Sequence, residues 1–199
     1  MSIDGKEAVW SEKVLLRTLV IVPLLLAMAF FVYVGFRYAD SGTEWLPNLE
    51  VGRPAPDFTF SDLQGQEIAL SSLRGNVVLL NIWATWCPTC VEEMPSLQRL
   101  HEAFQEKDFR VVSVSIDLLG AQVVAPFMRK YRLNFPALLD PRGTIKQTYA
   151  TTGIPETFII DREGILVRKV IGPRDWMDPH VVAFIRQTVG KEQLTDDQG

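Results

Sequence analysis

Val77-Val78-Leu79-Leu80-Asn81-Ile82-Trp83-Ala84-Thr85-Trp86-Cys87-Pro88-Thr89-Cys90 is the stretch that decides the fold. Its first seven residues are apolar apart from Asn81, the pattern of a strand buried on both faces of a sheet. Its last four hold the only two cysteines of the chain, two residues apart. A helix that starts there brings positions i and i+3 onto one face, with the sulfurs within bonding reach. A strand that delivers two thiols to a helix N-terminus has the arrangement that dithiol/disulfide exchange needs.

Two other uses of a Cys-x-x-Cys pair compete with this one. Tetrahedral zinc wants four N or S ligands, and the remaining candidates are His101 and His180, each alone in sequence. An inert staple across so small a loop would remove little chain entropy and stabilise weakly. Redox use explains the pair better than either.

Downstream, Cys90, Met94, Leu97, Leu100 or His101, and Phe104 recur at three- and four-residue spacing, which predicts an amphipathic helix. Pro95 within it removes one hydrogen bond. The spacing then predicts a core strand at Phe109 to Ile116, a helix at Val123 to Tyr131, a short strand at Ala137 to Asp140 and a short helix at Thr144 to Tyr149. Thr157 to Ile160 and Ile165 to Ile171 flank the turn Asp161-Arg162-Glu163-Gly164 as a hairpin, and a last helix covers Asp178 to Val189. Upstream, Asp57 to Phe60 and Glu67 to Leu70 form an N-terminal β-hairpin around the turn residues Ser61 to Gly65. This order predicts an α/β sandwich with a mixed sheet, its first two core strands parallel and joined by a right-handed crossover.

Thr18 to Phe36 holds nineteen residues without a charge, close to the length that spans a hydrocarbon core of about 30 Å. It reads as one transmembrane helix with Pro23 as a tolerated kink. Ala27-Met28-Ala29 resembles a signal-peptide cleavage site, but the apolar run continues for seven residues past it, longer than an ordinary signal segment, which favours an uncleaved anchor. Lys6, Lys13 and Arg17 precede the span, and Arg37 and Arg53 follow it, a bias that puts the N-terminus in the cytoplasm and the remainder in the periplasm or its equivalent. In that oxidising compartment, one active pair with no other cysteine avoids mispairing. The expected organisation is a cytoplasmic tail (1–17), an inner-membrane anchor (18–36), a linker (37–52), the α/β domain (53–191) and a short acidic tail (192–199).

The net charge is −4, and the first seventeen residues are balanced, so the excess lies in the external part. There is no basic cluster of the kind that tracks a phosphate backbone, which excludes nucleic acid as an expected partner.

The chain from about Val51 to Lys191 resembles the membrane-anchored, thioredoxin-like oxidoreductases of the TlpA, ResA and CcmG (DsbE) family. The resemblance rests on Gly52-Arg53-Pro54-Ala55-Pro56-Asp57-Phe58, on Asn81 through Cys90, on Glu93-Met94-Pro95, and on Gly153-Ile154-Pro155-Glu156-Thr157-Phe158-Ile159-Ile160-Asp161. Pro88-Thr89 is closer to the CcmG branch, and Glu93-Met94-Pro95 to TlpA and ResA. Asn81 stands where ordinary thioredoxins carry a buried aspartate.

The resemblance implies a thioredoxin-like sandwich and a thiol-disulfide oxidoreductase that uses no metal or organic cofactor beyond the Cys87–Cys90 disulfide. Its clients would be disulfide-bearing proteins, with the haem-site cysteines of apocytochrome c foremost, and a membrane thiol reductase of the DsbD or CcdA type would return electrons.

At the helix N-terminus, backbone N–H groups and the macrodipole favour a thiolate on Cys87, the expected attacking sulfur. Cys90, one turn in, is expected to resolve the mixed disulfide. Glu93 lies three residues further on the same face, placed to exchange a proton with Cys90 or raise its pKa, against the rival reading of a solvated helix carboxylate. The proline matching Pro155 is cis in the family and faces the dithiol, which would free the backbone of Ile154 to pair with an incoming extended peptide; an ordinary trans turn proline is the alternative. Trp86, Pro88 and Thr89 would complete the client contact, with Trp83 in the core and Glu156 as a surface acid that could flank the groove. A peroxidase is disfavoured because Ala84 and Leu80 occupy the positions where peroxiredoxins carry Thr and Pro. A copper chaperone of this fold would use wider cysteine spacing with a supporting histidine. Local charge, with Glu92 and Glu93 near the thiolate and no Lys, Arg or His between Gly75 and Gln98, favours a reductant of disulfides over the alternative of an oxidase or isomerase.

Overall fold

The computed structural model describes residues 19, 21–33, 49–105 and 107–190. The chain divides between Trp45 and Leu46 into two units. In the first, residues 21–33 are helical and exposed. Among the described residues no helix is long and apolar enough to cross a membrane. The rest of the proposed span, the tail 1–17, most of the linker and the tail 192–199 lie outside the described residues.

In the second unit, the described residues form strands β1 (Thr59–Asp62), β2 (Glu67–Ala69), β3 (Val77–Trp83), β4 (Phe109–Ser115), β5 (Ala137–Leu139), β6 (Glu156–Ile160) and β7 (Leu166–Ile171). They form the helices α1 (Pro88–Phe104), α2 (Ala121–Tyr131), α3 (Thr144–Thr148) and α4 (Pro179–Gly190). One mixed sheet runs β2-β1-β5-β4-β3-β6-β7. β3 pairs parallel with β4, as a crossover through α1 requires, and antiparallel with β6. The N-terminal hairpin joins the sheet by pairing antiparallel with β5.

Every residue of β3 is buried. Its alternation serves both faces: Val77, Leu79 and Trp83 pack with α1, α2 and α4, whereas Val78, Leu80 and Ile82 pack with Phe58, Ile145 and Tyr149. Asn81 therefore points to the α1 side from the middle of an apolar strand.

Two element boundaries differ from the spacing for identifiable reasons. The hairpin begins at Thr59 rather than Asp57, because the Asp57 carboxylate accepts the N–H groups of Phe58 and Ser71 (3.0 and 2.9 Å). α4 begins at Pro179 because Asp178 accepts the His180 N–H (2.8 Å) as a cap. At the described end of the stretch read as linker, Leu49 packs against the second face and Gly52 donates to the Leu166 carbonyl (2.8 Å).

The register places four chain ends together. Trp83 pairs with Ser115, Ser115 with Leu139, and Ile82 with Glu156. The loops that follow β3, β4 and β5, and the loop that precedes β6, all meet at one end of the sheet.

Candidate active site

Beyond Trp83 the backbone turns through Ala84 to Cys87, closed by a hydrogen bond from the Cys87 N–H to the Ala84 carbonyl (3.2 Å). Cys87 is the N-cap of α1, with extended backbone, and Pro88 occupies the first turn, where its missing N–H is no loss. Cys87 Sγ accepts the Cys90 N–H at 3.2 Å. The two residues are joined by a disulfide, with Cα atoms 5.2 Å apart. Cys90 is fully buried and Cys87 is 5% exposed, so Cys87 is the sulfur nearer solvent. After reduction, a thiolate at Cys87 would keep that backbone donor and face the positive end of the helix dipole.

The Ile154–Pro155 peptide bond is cis, and the Ile154 carbonyl oxygen lies 3.7 Å from Cys87 Sγ. Thr89 Oγ1 lies 3.5 Å from the same sulfur. Trp86, Pro88 and Thr89 are exposed around the disulfide, Ile154 is half-buried, and Pro155 is buried. All eight candidate site residues thus gather at this end of the sheet except Glu93, which lies behind it along α1.

Glu93 is not a solvated helix carboxylate. It is 2% exposed, with Oε1 accepting from Asn81 Nδ2 (2.8 Å) and Oε2 accepting from Trp176 Nε1 (3.0 Å) and the Arg174 N–H (3.2 Å). Burial disfavours the charged form more than these three donors favour it, and the pKa is pushed up to about 7. Asn81 Nδ2 also donates to Thr157 Oγ1 (2.9 Å), linking α1 to β6 behind the dithiol. A cleft of about 330 Å³, bordered by Glu92, Ser96, Arg99 and Arg174, reaches Glu93 from the side of the 173–175 loop.

Three features escaped the sequence reading. Asp117, just past β4, accepts the Thr85 N–H (2.9 Å), the Thr85 hydroxyl (2.7 Å) and the Ser115 hydroxyl (2.7 Å), fixing the loop that carries Cys87. Trp176 supplies a donor to Glu93 from far along the chain, and no local pattern signals it. Glu156 is fully buried and ion-paired with Lys169 (2.6 Å) on β7, rather than flanking a surface groove. An acid ending a buried strand was the one available signal for Asp117; for Glu156 it was its place at the head of the apolar run Thr157 to Ile160.

Residues 51–169 match the AhpC/TSA family. The chain is 34% identical to the thiol-disulfide oxidoreductase ResA of Bacillus cereus over 81% of this chain and 89% of that protein. It is 32% identical to ResA of Bacillus subtilis over 81% and 86%. The fold superposes on a provisionally assigned thiol:disulfide interchange protein DsbE from Chlorobium tepidum with a TM-score of 0.67 and 29% identity, covering 72% of this chain and all of that one.

Proposed function

The chain belongs to the AhpC/TSA family and is a thiol-disulfide oxidoreductase of the ResA and DsbE type, and from that premise we propose that it is a membrane-tethered, periplasm-facing reductant of disulfides in client proteins, the haem-site cysteines of apocytochrome c foremost. The observation that carries the reading is the placement of Cys87: helix N-cap, backbone donor on its sulfur, and the Ile154 carbonyl beside it. The Cys87 thiolate attacks one sulfur of the client disulfide and the other leaves with the electron pair. The Cys90 thiolate then attacks Cys87 Sγ, and the client departs as a dithiol while Cys87 and Cys90 are left oxidised. A membrane thiol reductase of the DsbD or CcdA type returns the two electrons, and no metal or organic cofactor takes part. Glu93, one turn beyond Cys90 with a pKa near neutrality, suits the exchange of the Cys90 proton.

Local charge supports reduction over oxidation. An oxidant stabilises its dithiol by strongly depressing the nucleophile's pKa, yet no Lys, Arg or His lies between Gly75 and Gln98, and Glu92 and Glu93 bring acid close. The apolar segment 18–36 and the basic residues ahead of it support the tether and its orientation.

Measurement of the Cys87–Cys90 potential tests the direction: a value nearer about −270 mV than about −120 mV is expected. Cells lacking the protein are expected to accumulate cytochrome c without covalent haem and to recover with added external reductant. An oxidising potential would recast the protein as an oxidase or isomerase, and normal haem attachment would point to other clients.

A further inference from the structure

The sheet order β4-β3-β6 sets the dithiol between two different walls. On the β6 side stand Ile154 and cis-Pro155, already read as a backbone contact. On the β4 side stands the loop Asp117-Leu118-Leu119-Gly120, stapled to the dithiol loop by the two hydrogen bonds between Asp117 and Thr85. Trp86 is one residue from the staple on one strand's loop, and Leu118 is one residue from it on the other. Among the described residues from 49 to 190, the large exposed apolar side chains are Val51, Trp86, Leu118, Leu119 and Ile171. Three of these five lie on the two stapled loops, at 65%, 81% and 58% exposure.

Leucines held in water on a fixed loop gain nothing for the fold, and three large apolar side chains gathered on two hydrogen-bonded loops, unlike ones scattered singly, mark an interaction surface. One loop further on, past the C-terminal end of β5, a cleft of about 380 Å³ is lined by Ile116, Pro141, Arg142, Gly143, Lys146 and Gln147. Arg142 and Lys146 are exposed, and neither forms an ion pair among the described residues. Moving outward from Cys87 along the sheet edge, the surface is therefore first apolar, then basic.

We propose that Trp86, Leu118 and Leu119, followed by Arg142 and Lys146, form a specificity surface for the client, which binds an extended polypeptide carrying large apolar residues beside its disulfide and a carboxylate side chain beyond them. The occupant is the disulfide-bearing segment because the surface is continuous with Cys87, which the client must cover to react, and because the charge at its far end is complementary to an acidic flank. The inference rests on the reading of the protein as a reductant of polypeptide disulfides and adds the chemistry of the segment it prefers. Ile154 would hold backbone on one side of the client disulfide; this surface would read side chains on the other.

The test uses the reduced full chain and two synthetic disulfide-cyclised peptides with the same ring. One is flanked by Leu-Phe and then two Glu residues, the other by Gly-Ser repeats, and a small aromatic disulfide reagent serves as a flank-free control. The wild-type chain is expected to react about tenfold faster with the apolar, acidic peptide, since covering two leucines is worth at least that factor. L118S/L119S is expected to remove the preference while leaving the Gly-Ser peptide and the small reagent within about twofold. R142E/K146E is expected to lower the preferred rate about threefold at low salt only. The ratio between the peptides is decisive, because any disturbance of the dithiol loop divides out of it. Equal rates for the two peptides, or a preference that survives L118S/L119S, would overturn the proposal. Loss of vesicle flotation or of self-association in L118S/L119S, with the peptide preference intact, would overturn it by giving the surface to a bilayer or to a second copy. Failure of the wild-type chain to reduce either peptide, with the small reagent still reacting, would overturn the underlying reading itself.

Discussion

Two glutamates are buried near the dithiol, and they are held differently. Glu156, at the start of β6, meets a cation: Lys169 Nζ lies 2.6 Å from one oxygen, and the Thr152 N–H donates to the other (3.1 Å). Glu93, in α1, meets only neutral donors, from Asn81, Trp176 and the backbone of Arg174. The amides and the indole stabilise a carboxylate without matching its charge, so desolvation wins and Glu93 titrates near neutrality. The cation gives Glu156 a structural task, tying the loop before cis-Pro155 to β7. The nature of the partner, rather than burial, separates an acid able to move a proton from one that holds a loop.

The comparison breaks most visibly at Lys169. Lys169→Met leaves Glu156 buried without its cation, and loss of one partner of a buried pair destabilises strongly. We expect a loss of about 3 kcal/mol, at the low end for such pairs because the Lys169 side chain is 25% exposed. Denaturant unfolding of the oxidised protein checks it, and a loss under about 1 kcal/mol would mean that Glu156 does not depend on the cation.

Glu93→Gln tests the other half. A carboxyl whose pKa is raised on folding still binds its proton in the native protein at a pH where the unfolded chain has released it. For Glu93 the window runs from 4.5 to about 7. Its contribution is fully present below that window and is lost as pH rises through the folded pKa, by up to roughly 3 kcal/mol. The amide introduced by Glu93→Gln does not titrate, so the stability difference between pH 5 and pH 8 is expected to shrink in the variant, whatever uniform loss the mispaired amide adds. The pH profile of Cys90 reactivity should lose its inflection near neutrality. A wild-type stability curve already flat over this range would show that Glu93 stays charged.

The local half of this architecture was legible in sequence, because each step rests on short-range pattern. The apolar run placed β3, the three- and four-residue spacing placed α1, and Cys-x-x-Cys after a strand placed the dithiol. What the chain joins over long range was not legible. That β1 would pair with β5, that Trp176 would reach Glu93, and that Asp117 would clamp Thr85 depend on contacts that no local periodicity encodes. Asn81 was visible as an anomaly in an apolar strand, and the structure supplies its role as the bridge from Glu93 to Thr157. Glu156 was misread because its acidity suggested surface, although its position in an apolar strand argued for burial.

A smaller effect is expected from Trp176→Phe, which keeps an aromatic ring in the core and removes one donor to Glu93. One lost hydrogen bond to a charged group is worth about 1.5–3 kcal/mol to the ionised form and much less to the neutral one. The Glu93 transition should therefore move further up in pH, and the destabilisation should be greater at pH 8 than at pH 5. A uniform loss at both pH values would make Trp176 a packing residue only.

The smallest effect sharpens the contrast between sequence neighbours. Glu92 precedes Glu93 on α1, but the helix turns it outward and it is exposed. Charge in water is screened and carries no desolvation penalty, so Glu92→Gln is expected to change stability by less than about 0.5 kcal/mol and to leave its pH dependence unaltered. Its one measurable effect should be on the thiolate: removing a negative charge near the helix N-terminus makes reduced Cys87 easier to ionise at low salt, and the difference vanishes at high salt. Thiol alkylation rates against pH, at two ionic strengths, resolve this. If Glu92→Gln flattens the stability profile as Glu93→Gln is expected to, the titrating acid has been assigned to the wrong neighbour, and the distinction drawn from burial and partner chemistry falls with it.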